Sequence, residues 1–339
     1  MTYKRKLITA ALLLTLLIIL VFPALTAGQY DIEAGKVFGL IWGKISGGET
    51  AGISRAQEVI VWRIRLPRLI LALTAGLSLA VSGAAYQGCF RNPLVEPYIL
   101  GVSAGAACGA ALAIVYPHIF PQGQLTAFLF ALAAVTITYG LARSRGETSS
   151  VALVLSGIIV GALFGAVVGI MKYLAADAQL REITFWMMGG LYYATWDDAR
   201  LTVLCVAPAF IFLWWYGWHL NVLSLGDEEA RSLGLNPAFC RFMIIIAATF
   251  AAAVCVSTCG VIAWVGLMMP HAARMIFGPD NRWVVPVSAL LGGIFLLICD
   301  TIARTLAPAE IPLGIVASIV GAPYLLWLLR SKGRDIYGR

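Results

Sequence analysis

Long apolar runs separated by short polar breaks make up most of the chain. The first, Leu7 to Ala27, follows Lys4-Arg5-Lys6, and later runs cover about 66–90, 98–116, 125–142, 151–174 and 199–218. Each approaches the roughly 20 residues a helix needs to cross a bilayer. The run from Phe242 to Pro270 carries no charged residue and is 29 residues long. That is too long for one comfortable span and too short for two. It reads as a long helix broken near Gly260, followed by a short return helix to about Phe277. Such breaks are tolerated where the backbone is buried in protein or lines a cavity. Runs at 283–303 and 312–329 complete ten spans. The pattern predicts an all-α polytopic membrane protein, one transmembrane domain over residues 1–339 with its core at 63–330. Residues 28–62 mix charge, Gly and Ser and read as an external loop with room for a short amphipathic helix. The first run exceeds the roughly 7–15 residues of a signal-peptide core and contains Pro23, so it reads as a retained helix with its basic end in the cytoplasm.

Small residues recur four apart within these runs. Ala72, Gly76, Ala80, Ala84 and Gly88 form one series, in step with Arg68; Gly101, Gly105, Gly109 and Ala113 form a second, and Gly157, Gly161, Gly165 and Gly169 a third. A spacing of four places each series on one helix stripe. In lipid such stripes let helix backbones approach closely, and all three are expected to be packing faces.

Composition agrees with the spans. The chain of 339 residues is 60% hydrophobic and 12% charged, with mean hydropathy +0.88. An ordinary soluble domain carries about 25% charged residues, so a water-soluble globule is excluded. Ten spans put both termini on one side. With that side cytoplasmic, 14 of the 24 Lys and Arg are cytoplasmic, a modest bias in the expected direction. The net charge of +7 then reflects basic loops, not a nucleic-acid partner. The seven cysteines stand singly in or beside apolar runs without a CxxC pair, which indicates neither a disulfide framework nor a metal site. Cys255 and Cys259 share a helix face and read as packing.

Three constellations stand out. Arg65 and Arg68, with Arg304 near the outer end of the ninth span, are either snorkelling anchors or an external patch for a carboxylate-bearing partner. Asp300, one turn before Arg304, could absorb that arginine internally. Leu223-Ser224-Leu225-Gly226-Asp227-Glu228-Glu229-Ala230-Arg231-Ser232-Leu233-Gly234 lies in the longest hydrophilic segment on the cytoplasmic side. Ser224 or Asp227 could cap a short helix there and Gly234 could end it. A short amphipathic helix at that place suits docking of a soluble partner. Lys172, near the end of the fifth span, is a snorkelling lysine or an intramembrane charge on a pathway. The histidines 118, 219 and 271 are scattered, and neither a nucleophile motif nor a phosphate loop occurs, so the chain carries no ATP site of its own.

These residues resemble the FecCD-type permeases. The likeness is carried by Arg65-Leu66-Pro67-Arg68, Ser82-Gly83 through Gln87-Gly88, Arg91-Asn92-Pro93-Leu94, Glu96-Pro97 and Leu100-Gly101-Val102-Ser103-Ala104-Gly105-Ala106. It continues in Trp186-Met187-Met188-Gly189-Gly190-Leu191, in the 223–234 segment and in Val265-Gly266-Leu267-Met268-Met269-Pro270-His271-Ala272-Ala273-Arg274. It ends with Asp300, Ala303-Arg304, Glu310-Ile311-Pro312-Leu313-Gly314 and Gly321-Ala322-Pro323. The resemblance implies the membrane subunit of a type II ABC importer for iron-siderophore complexes, haem or cobalamin, with ten helices and an inverted pseudo-repeat. It implies a permease homodimer in the inner membrane, two ATPase subunits that use ATP and Mg beneath it, and one substrate-binding protein above. Arg65, Arg68 and Arg304 match arginines that face the binding protein, and 219–237 matches the coupling segment that sits on the ATPase. One departure is Glu96-Pro97-Tyr98 with Ser103, where many siderophore relatives have Asp-Pro-Gly and then Asn. An ion-coupled secondary transporter is the alternative, but it would bury ionisable groups at span centres, which are almost free of them here. An intramembrane enzyme lacks any catalytic constellation.

Overall fold

Hydrocarbon offers the backbone no hydrogen-bond partners, so a chain this apolar must satisfy its amides internally, and helices do so most simply. The computed structural model describes residues 2–28, 30, 32–47, 52–144, 147–148 and 150–337. It runs α1 (Tyr3–Thr26), α2 (Ala34–Ser46) and α3 (Arg55–Glu58). A π-helical turn, Val59–Arg65, then leads without a break into α4 (Leu66–Phe90). A 3-10 turn, Pro97–Leu100, precedes α5 (Val102–Val115), then α6 (Gly123–Ala142), α7 (Ser150–Leu174) and α8 (Asp177–Met188). The second half holds α9 (Trp196–Trp215), α10 (Gly217–Leu225), α11 (Asp227–Ser232) and α12 (Pro237–Cys259). It closes with α13 (Val265–Phe277), α14 (Asn281–Thr305) and α15 (Leu313–Tyr337).

Among the described residues, seven helical segments (α1, α3 through α4, α6, α7, α9, α12 and α14) are long and apolar enough to cross a membrane. The shorter α5 and α13, together with α15, occupy the remaining predicted spans. The chain is therefore a multi-pass helical membrane protein. The uncharged 29-residue run resolves as its length required, with α12 ending at Cys259, Gly260 at φ +69 and α13 starting at Val265. Two stretches differ from the hydropathy reading. The expected loop at 28–62 holds α2, the short helix it had room for, but also the start of the α3–α4 helix, which the reading began only at 66 and which a Ser54/Gln57 capping box nucleates. The gap after α7 holds α8, which is too polar to register as a span. Arg145 and Arg339, counted toward the charge bias, lie outside the described residues.

α4 is the axis of the bundle, buried on nearly all sides by α9, α12, α13 and α14. Its small residues make this possible. Gly76 lies back to back with Gly292 of α14, where Ala80 also packs, and Gly83 meets the backbone of Gly266 in α13. A Cβ at Gly76 or Gly83 would coincide with a carbonyl group. Ala84 is fully buried, and Gly88 faces Leu220 and Asn281. Hydroxyls stitch α4 to α12 as well: Ser78 Oγ donates to Ala251 O at 2.7 Å and Ser82 Oγ to Ala248 O at 2.9 Å. One end of α4 carries Arg68 (the arginine end) and the other lies beside α10 and α11 (the α11 end).

The second and third glycine series divide. Gly105 and Gly109 touch the α6 backbone, and a Cβ at Gly109 would be 2.6 Å from Thr126 O. Gly101 is not within a helix; it sits at φ +86 as the turn residue before α5, a conformation glycine adopts without penalty. In α7 only Gly157 is packed, against Ile99 and Leu100. Gly161 has one neighbour, at 4.0 Å, and the space at Gly165 and Gly169 is open, so this half of the stripe is not a packing face within the chain. The contrast yields a test along one helix. Gly157→Ala is expected to lower stability by about 1–3 kcal/mol through overpacking. Gly165→Ala and Gly169→Ala are expected to leave the thermal midpoint of the detergent-solubilised chain unchanged or slightly raised, since alanine favours helix. Equal losses at all three positions would contradict the packing assigned to Gly157.

Candidate functional site

At the α11 end the polar segment forms two short helices joined at Gly226, whose backbone (φ 142, ψ 164) suits glycine. Neither expected cap is used. Ser224 Oγ bonds back to Leu220 O, and Asp227 opens α11 but turns its side chain elsewhere. Arg241 of α12 forks onto it, with Nη1 donating at 2.7 Å, and Arg91 just past α4 donates from Nη2 at 3.0 Å. The Arg241 hydrogen bond, aided by the charges of Arg241 and Arg91, holds the Asp227 carboxyl below its ordinary range. The clamp therefore stays ionised at neutral pH and is lost only as pH falls through that lowered value. The Arg91–Pro97 turn is thus joined directly to the α10–α11 segment and not merely close to it.

A second tie lies alongside. Asn221 donates to Asp280 at 2.7 Å and accepts from the Asn281 backbone at 2.7 Å, binding α10 to the α13–α14 turn. Asp280, held by Arg282 and Asn221, is pushed down to about 2. Gly234, at φ +81, ends α11 as expected, with Leu235 N bonding back to Ala230 O. Leu223 and Ala230 are buried, whereas Leu225, Leu233, Glu228, Glu229 and Arg231 are exposed. The segment is pinned from behind and presents an apolar, charged-rimmed front.

At mid-bundle the two interrupted helices meet. The Glu96–Leu100 stretch before α5 lies against Val261–Gly266 before and within α13. Tyr98 OH donates to Ile262 O, the Pro97 ring packs on Gly266, and the Glu96 carboxylate accepts from the Trp264 amide. Carbonyls at these segments are taken up by side chains: Gln87 Nε2 donates to Gly266 O (3.2 Å), which has no helical donor because Pro270 lacks an N–H, and to Leu267 O (3.3 Å), and Thr138 donates to Leu100 O at 3.1 Å. Trp264 holds φ +75, a strained conformation for a bulky residue, and its indole donates to Ser318 of α15 at 3.2 Å. Such outliers persist only where surroundings enforce them. Nearer the arginine end Gly189, Gly260 and Gly314 bring three backbones together, with Gly190 N to Cys259 O and Leu313 N to Gly189 O both at 2.9 Å.

The arginine end differs from a free cationic patch. Arg65, Arg68 and Arg304 are each less than a tenth exposed. Arg68 Nε donates to Asp300 at 2.8 Å and Nη1 to Glu310 at 2.7 Å, while Arg304 Nε shares Asp300 at 3.2 Å. Arg304 also donates to Ala27 O at 2.7 Å and to Ala24 O. Arg65 donates to Leu25 O and Thr26 O, each at 2.7 Å, and to Tyr30 O. These arginines lock the end of α1 to α4 and α14. Of the acids, Glu310 is the accessible one, its side chain a third exposed. A 750 Å³ cavity opens nearby between α8, the 190–194 turn and the end of α12, with Arg181, Glu182 and Asp198 on its wall and Gln124 bonded to Thr258 at 2.6 Å. Lys172, in the last turn of α7, forms no ion pair among the described residues.

Sequence reasoning missed Arg241, Gln87, Glu310 as a pairing group and Trp264. A basic residue inside the first turns of an otherwise apolar run was the available signal for Arg241. Nothing local marked Trp264.

Comparison with known proteins agrees with this architecture. The family model described as the FecCD transport family matches residues 16–331. The chain is 42% identical over 284 residues to the cobalamin import system permease protein BtuC of Halobacterium salinarum, covering 83% of this chain and 76% of that one. It is 41% identical over 326 residues to the hemin transport system permease protein HmuU of Yersinia pestis, covering 94% and 93%. An inward-facing structure of a metal-chelate type ABC transporter superposes with TM-score 0.84 at 31% identity, over 97% of this chain and 99% of that one. With the interrupted helices, the glycine crossings and the pinned α10–α11 segment already in place, the chain belongs to the FecCD transport family and is an ABC-importer permease.

Proposed function

We propose that the chain pairs with a second copy to form the membrane core of an ATP-driven importer for a bulky iron complex, siderophore-bound or haem, or for cobalamin. It lies in the cytoplasmic membrane with both termini in the cytoplasm. Two separate ATPase subunits, which use the ATP and Mg, dock on α10 and α11, and one substrate-binding protein docks at the arginine end. The observation that carries this reading is the Asp227 clamp. A partner gripping exposed Leu225 and Leu233 pulls on a segment tied through one carboxylate to the ends of α4 and α12. Those two helices lead to the crossing of the interrupted segments, so displacement at the α11 end reaches the middle of the bundle. ATP supplies the bias by binding one state of the partner better than the other.

The arginines serve as the frame beneath the docking face. A carboxylate from the binding protein reaches Arg68 by replacing the half-buried Glu310, leaving Asp300 in place. Conversely, Asp300 is the internal counter-ion that cannot be spared. Asp300→Asn strands two buried arginines and is expected to cost about 3–5 kcal/mol, read as a lowered thermal midpoint. Glu310→Gln is expected to leave the midpoint nearly unchanged and to alter how strongly loaded binding protein stimulates ATP hydrolysis. Unchanged stimulation would count against this docking contact.

The coupling role is tested by reconstitution with cognate ATPase and binding protein. Deleting Asp227–Gly234 is expected to abolish both co-purification of the ATPase and ATP-driven uptake; survival of both would overturn the assignment. Uptake in ATP-replete vesicles is expected to persist with a proton ionophore, and its collapse would favour the ion-coupled alternative.

A further inference from the structure

A second pocket at the α11 end has no part in the scheme above. It encloses 520 Å³ between the start of α1, the end of α4, α10 and the α13–α14 turn, and its wall carries Lys6, Arg91 and Arg274. The acid on that wall is Asp280, already engaged by Arg282 and Asn221. Arg91 gives one nitrogen to Asp227 and Arg274 one to Gln87, and each guanidinium keeps further donors. The Lys6 ammonium makes no hydrogen bond among the described residues and sits 5.8 Å from the Trp283 ring centre. Asn281 also lines the pocket. It is 4% exposed, and its Oδ1 is a buried acceptor without a hydrogen-bond partner among the described residues. Three cations facing one satisfied acid favour an anion, and an orphaned acceptor beside them favours a ligand that also carries a hydroxyl.

We propose that this pocket binds the headgroup of an acidic phospholipid, with phosphate on the cations and a headgroup hydroxyl on Asn281. The surroundings favour a lipid over a soluble anion. α1, whose basic end forms one wall, is the most apolar span, and only 6% of its most apolar 18 residues are buried in the protein. Acyl chains therefore have an apolar flank to follow, directly from the pocket. Tyr3 and Trp283, in edge contact at 5.7 Å, supply the aromatic pair typical of the membrane–water boundary. Basic pockets between helices at that level select anionic headgroups. A bound lipid would bridge α1 to α10, joining the least buried span to the segment that meets the ATPase.

Native mass spectrometry of the detergent-solubilised full chain, titrated with phosphatidylglycerol or phosphatidylcholine of matched acyl chains, tests this. Phosphatidylglycerol is expected to bind about 25-fold more tightly, as Lys6 and Arg274, the two pocket cations without an acid partner among the described residues, contribute roughly fivefold each. Lys6→Gln with Arg274→Gln should erase the preference, whereas Lys4→Gln with Arg5→Gln, on the same helix end but outside the pocket, should keep it. Should the first pair fail to fold, Lys6→Gln alone, which breaks no hydrogen bond, should still cut the preference several-fold. Equal binding of the two lipids would overturn the proposal, as would an equal loss in the Lys4/Arg5 control. Full displacement of phosphatidylglycerol by millimolar inorganic phosphate would assign the pocket to a soluble anion instead.

Discussion

Interrupting a helix inside an apolar bundle leaves carbonyls and amides with no water to bind, and everything near the centre of this protein answers to that cost. The break before α5 and the break before α13 are placed against each other, so that Tyr98 satisfies Ile262 while Gln87 and Thr138 reach the remaining carbonyls. Close approach is what makes these bonds possible. It depends on Gly83 and Gly266 at one contact and on Gly189, Gly260 and Gly314 at another, where any side chain would collide with backbone. The glycines of this chain are thus spent on bringing broken segments into register more than on uniform helix packing.

The buried and half-buried ion pairs of Asp300 and Asp227 lie at opposite ends of α4, and the two ends are built differently. At the arginine end Asp300 is buried and shared by two arginines, an arrangement that is costly to form and costlier to break. It suits a fixed frame. At the α11 end Asp227 is a third exposed and accepts from Arg91 and Arg241, arginines from two different helices. Solvent access makes that clamp cheaper to strain, which suits a joint that transmits displacement. Between the ends, α4 runs the full length with nearly every residue buried, so it carries motion without bending into open space.

Much of this was legible in the sequence because lipid simplifies the code. Run length alone located the spans and required the break at Gly260, since 29 uncharged residues fit neither one helix nor two. Glycine spacing located the α4 seam, yet the same spacing in α7 misled. A stripe says that backbones could approach, not that a partner stands there, and Gly165 and Gly169 face open space. The arginine cluster was visible, and so was the Asp300 partner of Arg304 one turn away, but the pairing of Arg68 was not, because Asp300 and Glu310 lie more than 230 residues from it in sequence. The Asp227 clamp was hidden because its partners lie outside the α10–α11 segment, Arg241 in α12 and Arg91 just past α4. Local pattern reports which residues are unusual for a span; only the packed bundle decides which of them meet.

The central claim is that α11 and the end of α4 move as one unit held by Asp227. Pulsed spin-label distances between Glu228→Cys and Leu94→Cys, both exposed positions, test it in the reconstituted complex with and without trapped ATP. The account predicts one unchanged distance for that pair in both states, with a shift between Glu228→Cys and Tyr193→Cys at the arginine end. A Glu228–Leu94 distance that changes with nucleotide while the clamp residues are intact would contradict it.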